Sequence, residues 1–277
     1  MKLIDGRKIA ETIKDKIAQE VFAMVKDGAS RPSLAIILVG SRPDSLLYVS
    51  LKEKEAKLIG IDTHRYEFSE DTSENELIET INFLNNDETV DAILVQLPLP
   101  SQIETEKIMS QLNPLKDADG FHPSHPMYVE SPVIAAVGAM LDDIAIKPNN
   151  LSACALYNSD IFGSALVNFL TNYGFREVSG VTSSEIRNNW PILKEADVLV
   201  SAIGFPLFVN EEMIKHGSVI IDIGTNKLDN KVVGDVNFES VKDKVSYISP
   251  VPGGVGPLTI AFLFKNVLEI YKNKNLS

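Results

Sequence analysis

Cysteine is all but missing from this chain. Its 277 residues include one, Cys154. An intrachain disulfide framework is therefore excluded, and an apolar setting makes this thiol a buried, inert one rather than a nucleophile. Long apolar runs are absent too; none approaches the length of a membrane span. The opening segment from Met1 to Arg7 lacks the apolar core of a signal peptide. These absences point to a cytoplasmic protein. Positive charge is in deficit, with 26 Lys and Arg against 38 Asp and Glu, a net charge of −12. That argues against nucleic acid or an anionic membrane as the main partner, while a small anionic ligand depends only on local charge. Histidine is scarce: His64, His122, His125 and His216. Only His122 and His125 are close, and no further Cys or His completes a shell, so no metal site is expected. What remains is an ordinary globular composition, 44% hydrophobic and 23% charged, on a chain long enough for two α/β domains.

Hydrophobic periodicity gives the organisation. Ile9, Ile13, Ile17, Val21 and Val25 recur every fourth residue up to Gly28, a helix. Leu34–Val39 is a continuous apolar run, as in a strand buried on both faces. A helix over Asp44–Leu58 ends at Gly60, a strand over Thr63–Phe68 follows, and Ser73 with Glu76 forms a capping box for the next helix. Asp91–Val95 is a further buried strand, leading into Gln96-Leu97-Pro98-Leu99-Pro100. Asn113–Pro132, rich in Pro, Asp and His, reads as a functional loop into a second unit. Beyond a helix at Val133–Ile144, strands are expected at Leu151–Leu156, Glu177–Thr182, Val198–Ile203, Val219–Ile223 and Ser246–Ile248, with a final helix over Pro257–Tyr271. Alternation of β and α implies parallel sheets. The expected architecture is two α/β domains facing each other across a cleft, the second a Rossmann-like parallel sheet. One domain comprises residues 1–132 plus 257–277 and the other residues 133–256.

In open parallel sheets ligands bind beyond the carboxyl ends of the strands. Gln96 lies past one such end, Gly204 past another, and the loop after Ile248 past a third. That loop, Ser249-Pro250-Val251-Pro252-Gly253-Gly254-Val255-Gly256-Pro257, is the densest Pro/Gly stretch in the chain. Its prolines remove backbone freedom and its glycines admit a flat ligand, although a rigid interdomain turn has the same composition. Tyr48 and Lys52 are four residues apart on a helix and share a face. Tyr offers a flat surface to a heteroaromatic ring, and a Lys shielded from water can act as a base; most helical lysines, however, are solvated, and Lys54 and Lys57 are close by. The Tyr-x-x-x-Lys pattern also occurs in short-chain dehydrogenases, but there it follows the nucleotide-binding strands, and here it precedes them. Lys116-Asp117-Ala118-Asp119-Gly120-Phe121-His122-Pro123 sets two acids in a tight turn. One of them could accept paired hydrogen bonds from an amidine-like ring edge, or the segment could be an ordinary Asx turn.

Taken in order, Tyr48-Val49-Ser50-Leu51-Lys52, Leu94 to Pro100, Lys116 to Pro123 and Pro250 to Pro257 resemble the methylenetetrahydrofolate dehydrogenase/methenyltetrahydrofolate cyclohydrolase family, the bifunctional FolD proteins. Weaker similarities at Val39-Gly40-Ser41, Asp197 to Gly204, Ile221 to Asn226 and Val233 to Val236 extend the match over nearly the whole chain. The resemblance implies interconversion of 5,10-methylene-, 5,10-methenyl- and 10-formyl-tetrahydrofolate, with a folate site on the first domain, a dinucleotide site on the second, and a homodimer. It makes Lys52 the central acid/base, Gln96 its hydrogen-bonding partner, Asp119 the holder of the pterin edge and Tyr48 the stacking ring, so that all four serve catalysis. Pro252, Gly253 and Pro257 join Tyr48 and Asp119 in binding substrate. Ser159, Gly163, Ser184, Gly204 and Thr225 are the implied cofactor residues, with NADP as the cofactor and NAD as the alternative.

The cofactor half departs from the family pattern. The family's turn reads roughly Gly-x-Ser-x-Ile-Val-Gly-x-Pro, whereas this chain has Tyr157-Asn158-Ser159-Asp160-Ile161-Phe162-Gly163-Ser164-Ala165. The bulk of Tyr157 is expected to hinder backbone approach to a pyrophosphate, and the charge of Asp160 to oppose it. The family's His-Ser is replaced by Ser183-Ser184, with Arg187 the only nearby cation, and its Pro-x-Thr-Pro by Ser131-Pro132-Val133-Ile134. These changes leave two alternatives beside the bifunctional enzyme. One is a cyclohydrolase with a degenerate dinucleotide site; the other is a non-catalytic folate-binding relative.

Overall fold

The computed structural model describes residues 1–122, 124–229 and 231–275. Pro123, the last residue of the Asp-rich motif, lies outside the described residues. In chain order the elements are β1 (Lys2–Leu3), α1 (Gly6–Lys26), β2 (Ser33–Val39), α2 (Pro43–Ile59), β3 (Asp62–Phe68), α3 (Glu74–Asn86), β4 (Ala92–Val95), α4 (Thr105–Met109) and α5 (Pro132–Asp143). There follow β5 (Ser152–Tyr157), α6 (Asp160–Tyr173), β6 (Glu177–Thr182), α7 (Trp190–Glu195), β7 (Val198–Ala202), β8 (Val219–Asp222), β9 (Asn226–Leu228), β10 (Lys231–Val233), α8 (Phe238–Val241), β11 (Tyr247–Ile248) and α9 (Val255–Asn275). The chain divides into two compact units, Glu11–Pro132 with Ile260–Ser277, and Met1–Ala10 with Val133–Thr259.

The first of these units holds a parallel sheet in the order β3-β2-β4. Every residue of β2 is buried, and alternation explains why. Leu34, Ile36 and Leu38 face a core shared with Val49 and Ala56 of α2 and Phe264 and Val267 of α9. Ala35, Ile37 and Val39 face Leu77, Ile81 and Leu84 of α3. A strand with helices on both faces has no polar side, hence its unbroken apolar run. Ser73 caps α3, its Oγ accepting from the Glu76 N–H at 3.3 Å.

The other unit is a doubly wound parallel sheet of order β1-β11-β8-β7-β5-β6, a Rossmann-like arrangement. β5 pairs with β6 on one side and β7 on the other, so the chain reverses its direction of travel across the sheet there. Residues Met1–Ala10 group with this unit, whereas the expected division placed them in the first. The cause is β1, whose Lys2 and Leu3 pair with Tyr247 and Ile248. A strand of two residues has no periodicity to read. β9 and β10 form a small antiparallel hairpin with no counterpart among the expected elements. Among the described residues, no helix is long and apolar enough to cross a membrane.

Candidate active site

Lys52 sits in α2 at an unusual position for a lysine. The buried residues of this helix are Ser45, Val49, Ala56 and Ile59, and Lys52 falls on the same stripe, three residues after Val49 and four before Ala56. Lys54 and Lys57 point to solvent; Lys52 is half-buried. Its Nζ donates to Gln96 Oε1 at 2.9 Å. Gln96 immediately follows β4, and its own Nε2 donates to the Leu97 carbonyl at 2.7 Å, which turns the amide oxygen toward the lysine. The Leu97–Pro98 peptide is cis.

Asp119 reaches the same end of the sheet by a nonlocal route. The Ile93 N–H donates to the Lys116 carbonyl at 2.7 Å, and the Ala118 N–H to the Ile93 carbonyl at 3.1 Å. Residues 116–118 thus run alongside β4, and the chain leaves that pairing at Asp119. Asn266 of α9 holds the segment from the other side, donating to the Ala118 and Glu130 carbonyls at 2.8 Å each. The turn reading of the acid pair is realised by one of the two residues. Asp117, 1% exposed, is the turn acid, accepting from the Asp119 N–H at 3.2 Å and the His122 N–H at 2.7 Å. Asp119 is left free of that task.

Electrostatics couples the two titratable groups. Burial lowers the pKa of Lys52, and the Asp119 carboxylate partly restores it. Burial pushes Asp119 up to about 6 against the pull of the Lys52 charge, with Asp117 adding to the rise. An amine disposed to lose its proton, beside a carboxyl close to neutrality, suits proton transfer. Tyr48 lies one turn before Lys52 and is 37% exposed, leaving its ring available to a ligand. Among the described residues, no cluster of three or more His, Cys, Asp or Glu could hold a metal ion. The thiol of buried Cys154 is pushed up to about 12 by desolvation.

The expected cofactor residues all lie in the six-stranded unit, at the carboxyl ends of its strands. Ser159 is the N-cap of α6, and its side chain makes no capping bond. Ser184 follows β6, its Oγ 3.0 Å from Thr182 Oγ1. Gly204 follows β7 with φ +72°. Thr225 follows β8 and is exposed. Asn158, which no motif singled out, donates from Nδ2 to the Ile203 carbonyl at 3.1 Å and so ties the turn after β5 to the end of β7. The two ends flank the switch point, where open α/β sheets take their ligands. Pro252, Gly253 and Pro257 follow β11 in this same unit, Pro257 already inside α9. Gly253 has φ +110°, and a Cβ there would lie 3.3 Å from Arg7 Nε.

Tyr157 does not stand as its bulk suggests. A Cβ on Gly163 would come within 2.3 Å of the tyrosine ring, and one on Gly180 within 2.8 Å of its hydroxyl. The ring is therefore wedged between the first turn of α6 and the middle of β6, in space that two glycines leave open. The obstacle expected at the turn is absorbed there.

Comparison with known proteins gives a consistent picture. The family model described as tetrahydrofolate dehydrogenase/cyclohydrolase, catalytic domain, matches residues 4–119. The one described as tetrahydrofolate dehydrogenase/cyclohydrolase, NAD(P)-binding domain, matches residues 131–275. The bifunctional protein FolD of Sulfurihydrogenibium sp. (strain YO3AOP1) is 41% identical, with 99% of each chain covered. The crystal structure of the bifunctional enzyme FolD from Campylobacter jejuni superposes with a TM-score of 0.93 at 35% identity, covering 99% of both chains. The Trypanosoma brucei methylenetetrahydrofolate dehydrogenase-cyclohydrolase, solved with NADP and an inhibitor, gives a TM-score of 0.93 at 32% identity over 99% of this chain and 98% of that one.

Proposed function

The chain belongs to the tetrahydrofolate dehydrogenase/cyclohydrolase family, and we propose that it interconverts 5,10-methylene-, 5,10-methenyl- and 10-formyl-tetrahydrofolate, with the chemistry centred on Lys52. The observation that carries this reading is the Lys52 Nζ–Gln96 Oε1 bond at 2.9 Å, with Asp119 coupled to the same amine.

In the hydrolytic step the substrate is a delocalised iminium cation, which repels an ammonium and tolerates a neutral amine. Lys52, its pKa lowered by burial, takes a proton from the water that attacks the methenyl carbon. The protonated amine then returns that proton to the departing ring nitrogen as the carbon–nitrogen bond breaks. The carbinol hydroxyl formed from the water releases its remaining proton to solvent as the formyl C=O forms, so that the step yields the 10-formyl product and one proton. Gln96 occupies one N–H of the amine and so fixes where its lone pair points. Asp119 accepts from the pterin edge and Tyr48 stacks on the ring, with Pro252, Gly253 and Pro257 completing the substrate contacts.

NADP, when bound, supplies the hydride acceptor for the oxidative step; NAD is the alternative acceptor. The residues present fit a dinucleotide. The unused N-cap side chain of Ser159 and the free N–H groups of the first turn of α6 suit a pyrophosphate. Gly163, Ser184, Gly204 and Thr225 complete the edge. The role of these groups is alignment of the two rings rather than chemistry. In this reading the unit of Glu11–Pro132 with Ile260–Ser277 carries the groups that act on folate, and the unit of Met1–Ala10 with Val133–Thr259 those that hold the dinucleotide. A homodimer working in the cytoplasm, with no nucleic-acid or membrane partner, accords with the family and with the −12 charge.

The test mixes purified protein with methylenetetrahydrofolate and NADP, and separately NAD, and follows reduced nicotinamide absorbance. Methenyl-tetrahydrofolate hydrolysis is measured in parallel. Reduction with either dinucleotide, together with hydrolysis, is the expected result. Hydrolysis without reduction refutes the dehydrogenase half, and loss of neither activity in Lys52→Ala refutes the assigned base.

A further inference from the structure

Two acids of the six-stranded unit are buried side by side, Asp222 at 3% exposure and Asp235 at 0%. Among the described residues neither forms an ion pair. Burial pushes the Asp222 carboxyl up to about 7, and the charge of Asp235 adds to the rise. Such a pair is costly to keep unless its oxygens are fully used, and here they are. Asp235 Oδ2 accepts from the Ile203 N–H at 2.8 Å and the Ser201 hydroxyl at 3.0 Å. Its Oδ1 accepts from Asn226 Nδ2 at 2.9 Å. Asp222 Oδ1 accepts from the N–H groups of Gly224 and Asp235 at 2.9 and 3.1 Å, and its Oδ2 from the Val236 N–H at 2.9 Å. The Asp222 N–H in turn donates to Ser249 Oγ at 2.7 Å.

These partners have a common property. Ile203 immediately precedes Gly204, Asn226 immediately follows Thr225, and Ser249 opens the Pro250–Pro257 loop. The glycines beside the pair are required by it: a Cβ on Gly224 would lie 2.3 Å from the Asp235 carboxyl, and one on Gly234 only 1.9 Å from Asp222 Oδ2. Every group that Asp235 meets through its side chain is a donor. A carboxylate, which only accepts, satisfies all three, whereas an amide at that position sets an NH₂ against one of them.

We infer that Asp235 is a positioning residue for the dehydrogenase reaction, a buried clamp that holds the ends of β7 and β8 so that Gly204 and Thr225 meet the dinucleotide in register. The inference rests on the reading of this sheet edge as the dinucleotide site. The Asp222 side chain holds the N–H groups of Gly224, Asp235 and Val236, so its removal would disturb the backbone that carries Asp235 itself. Asp235 is the selective probe.

The experiment compares the full-length wild type with Asp235→Ala and Asp235→Asn. It reads dinucleotide KM and kcat with saturating methylenetetrahydrofolate, methenyl-tetrahydrofolate hydrolysis, and Tm. Asp235→Ala leaves the Ile203 N–H buried without an acceptor, and is expected to raise the dinucleotide KM about tenfold or more, with a smaller effect on kcat. Hydrolysis should stay within about twofold, since Lys52, Gln96 and Asp119 lie in the other unit and the Asp235 side chain bonds none of Pro252, Gly253 and Pro257. Asp235→Asn is expected to recover to within about threefold of wild type, because the Asn226 amide can turn its oxygen toward the new NH₂. An unchanged KM in Asp235→Ala overturns the inference. So does a parallel loss of both activities, which marks a general folding role, or an Asn variant no better than Ala. A wild type that reduces neither NADP nor NAD is a different failure. It refutes the reading of the dinucleotide site, and the clamp's assignment with it.

Discussion

Replacing Gln96 by Leu isolates what the amide does for Lys52. The side chains are similar in size, and Gln96 is only half-buried, so packing changes little. What Lys52 loses is the 2.9 Å hydrogen bond from Nζ to Oε1; the local bond from Gln96 Nε2 to the Leu97 carbonyl goes with it. A bond to a charged donor is worth roughly 1.5–3 kcal/mol and one to a neutral donor roughly 0.5–1.5 kcal/mol. Two consequences follow from that difference. The ammonium loses more than the amine, so the lysine deprotonates more readily and the acid limb of the hydrolysis pH profile moves to lower pH. The neutral amine loses the contact that fixes its lone pair, and a misdirected base costs about 10–100-fold in rate, roughly 1.4–2.7 kcal/mol. The assay is the rate of methenyl-tetrahydrofolate loss, corrected for its spontaneous hydrolysis, between pH 5 and 9. Lys52→Met serves as the limit at which no base remains, with a loss of about 10²–10⁴-fold expected. A Gln96→Leu enzyme with the wild-type plateau, or with its acid limb moved to higher pH, would refute the account. The first result makes the bond irrelevant to catalysis; the second means that Gln96 favours the neutral amine.

Asp119, pushed up to about 6 mainly by burial, gives a stability prediction with a definite sign. A carboxyl whose folded pKa stands above its unfolded one binds more protons folded than unfolded between the two, so its contribution is present below about pH 4 and is lost as pH rises through about 6. Asp119→Asn should therefore raise Tm at pH 8, by about 1–3 kcal/mol of stability at most, and not at pH 4, while folate KM rises at both; equal Tm changes at the two pH values count against the buried carboxyl. Gly163→Ala should destabilise by about 1–3 kcal/mol, because its Cβ meets the Tyr157 ring at 2.3 Å. In a Tyr157→Ala background the same change should be neutral or favourable, since Ala is the better helix residue by about 1 kcal/mol; additive denaturation midpoints would remove the wedge from the argument. Glu185 stands three residues past β6, exposed, with Oε2 accepting from Thr182 Oγ1 at 3.0 Å. An acid at that edge repels a 2′-phosphate, so Glu185→Gln should lower KM for NADP by about two- to tenfold and change that for NAD less. An equal shift for both dinucleotides places the carboxylate away from the adenosine ribose.

The alternating apolar runs were legible because each is a local statement: β2 cannot be fully apolar unless both its faces are covered, and α9 and α3 cover them. Lys52 was not separable in the same way: local spacing left it beside Lys54 and Lys57, and the family resemblance selected it. The structure supplies the missing distinction, for Lys52 falls on the buried stripe of Ser45, Val49, Ala56 and Ile59. Where the outcome hung on chain-distant partners, local patterns were silent. Either acid of Asp117-Ala118-Asp119 could make the turn, and the choice is settled by the pairing of residues 116–118 with Ile93. Asn266 lies 148 residues from the Ala118 carbonyl it holds and leaves no trace in the sequence around either. The two-residue pairing of β1 with β11 is equally invisible.

Tyr157 makes the general point in one position. Set against the family's turn, it looks like damage to the cofactor site, since a phenol replaces a glycine. The damage was judged by the size of the side chain, whereas its effect depends on the volume open to it. That volume is made by Gly163 on α6 and by Gly180 on a neighbouring strand, 23 positions along the chain. A bulky residue whose ring has two glycines to lie against packs along α6 and β6 in the space they leave. Asp160 and Glu185 have no such outlet, because a charge acts through space whatever its side chain packs against. If the cofactor half of this chain differs in function from its relatives, those carboxylates, and not the tyrosine, are the physical cause.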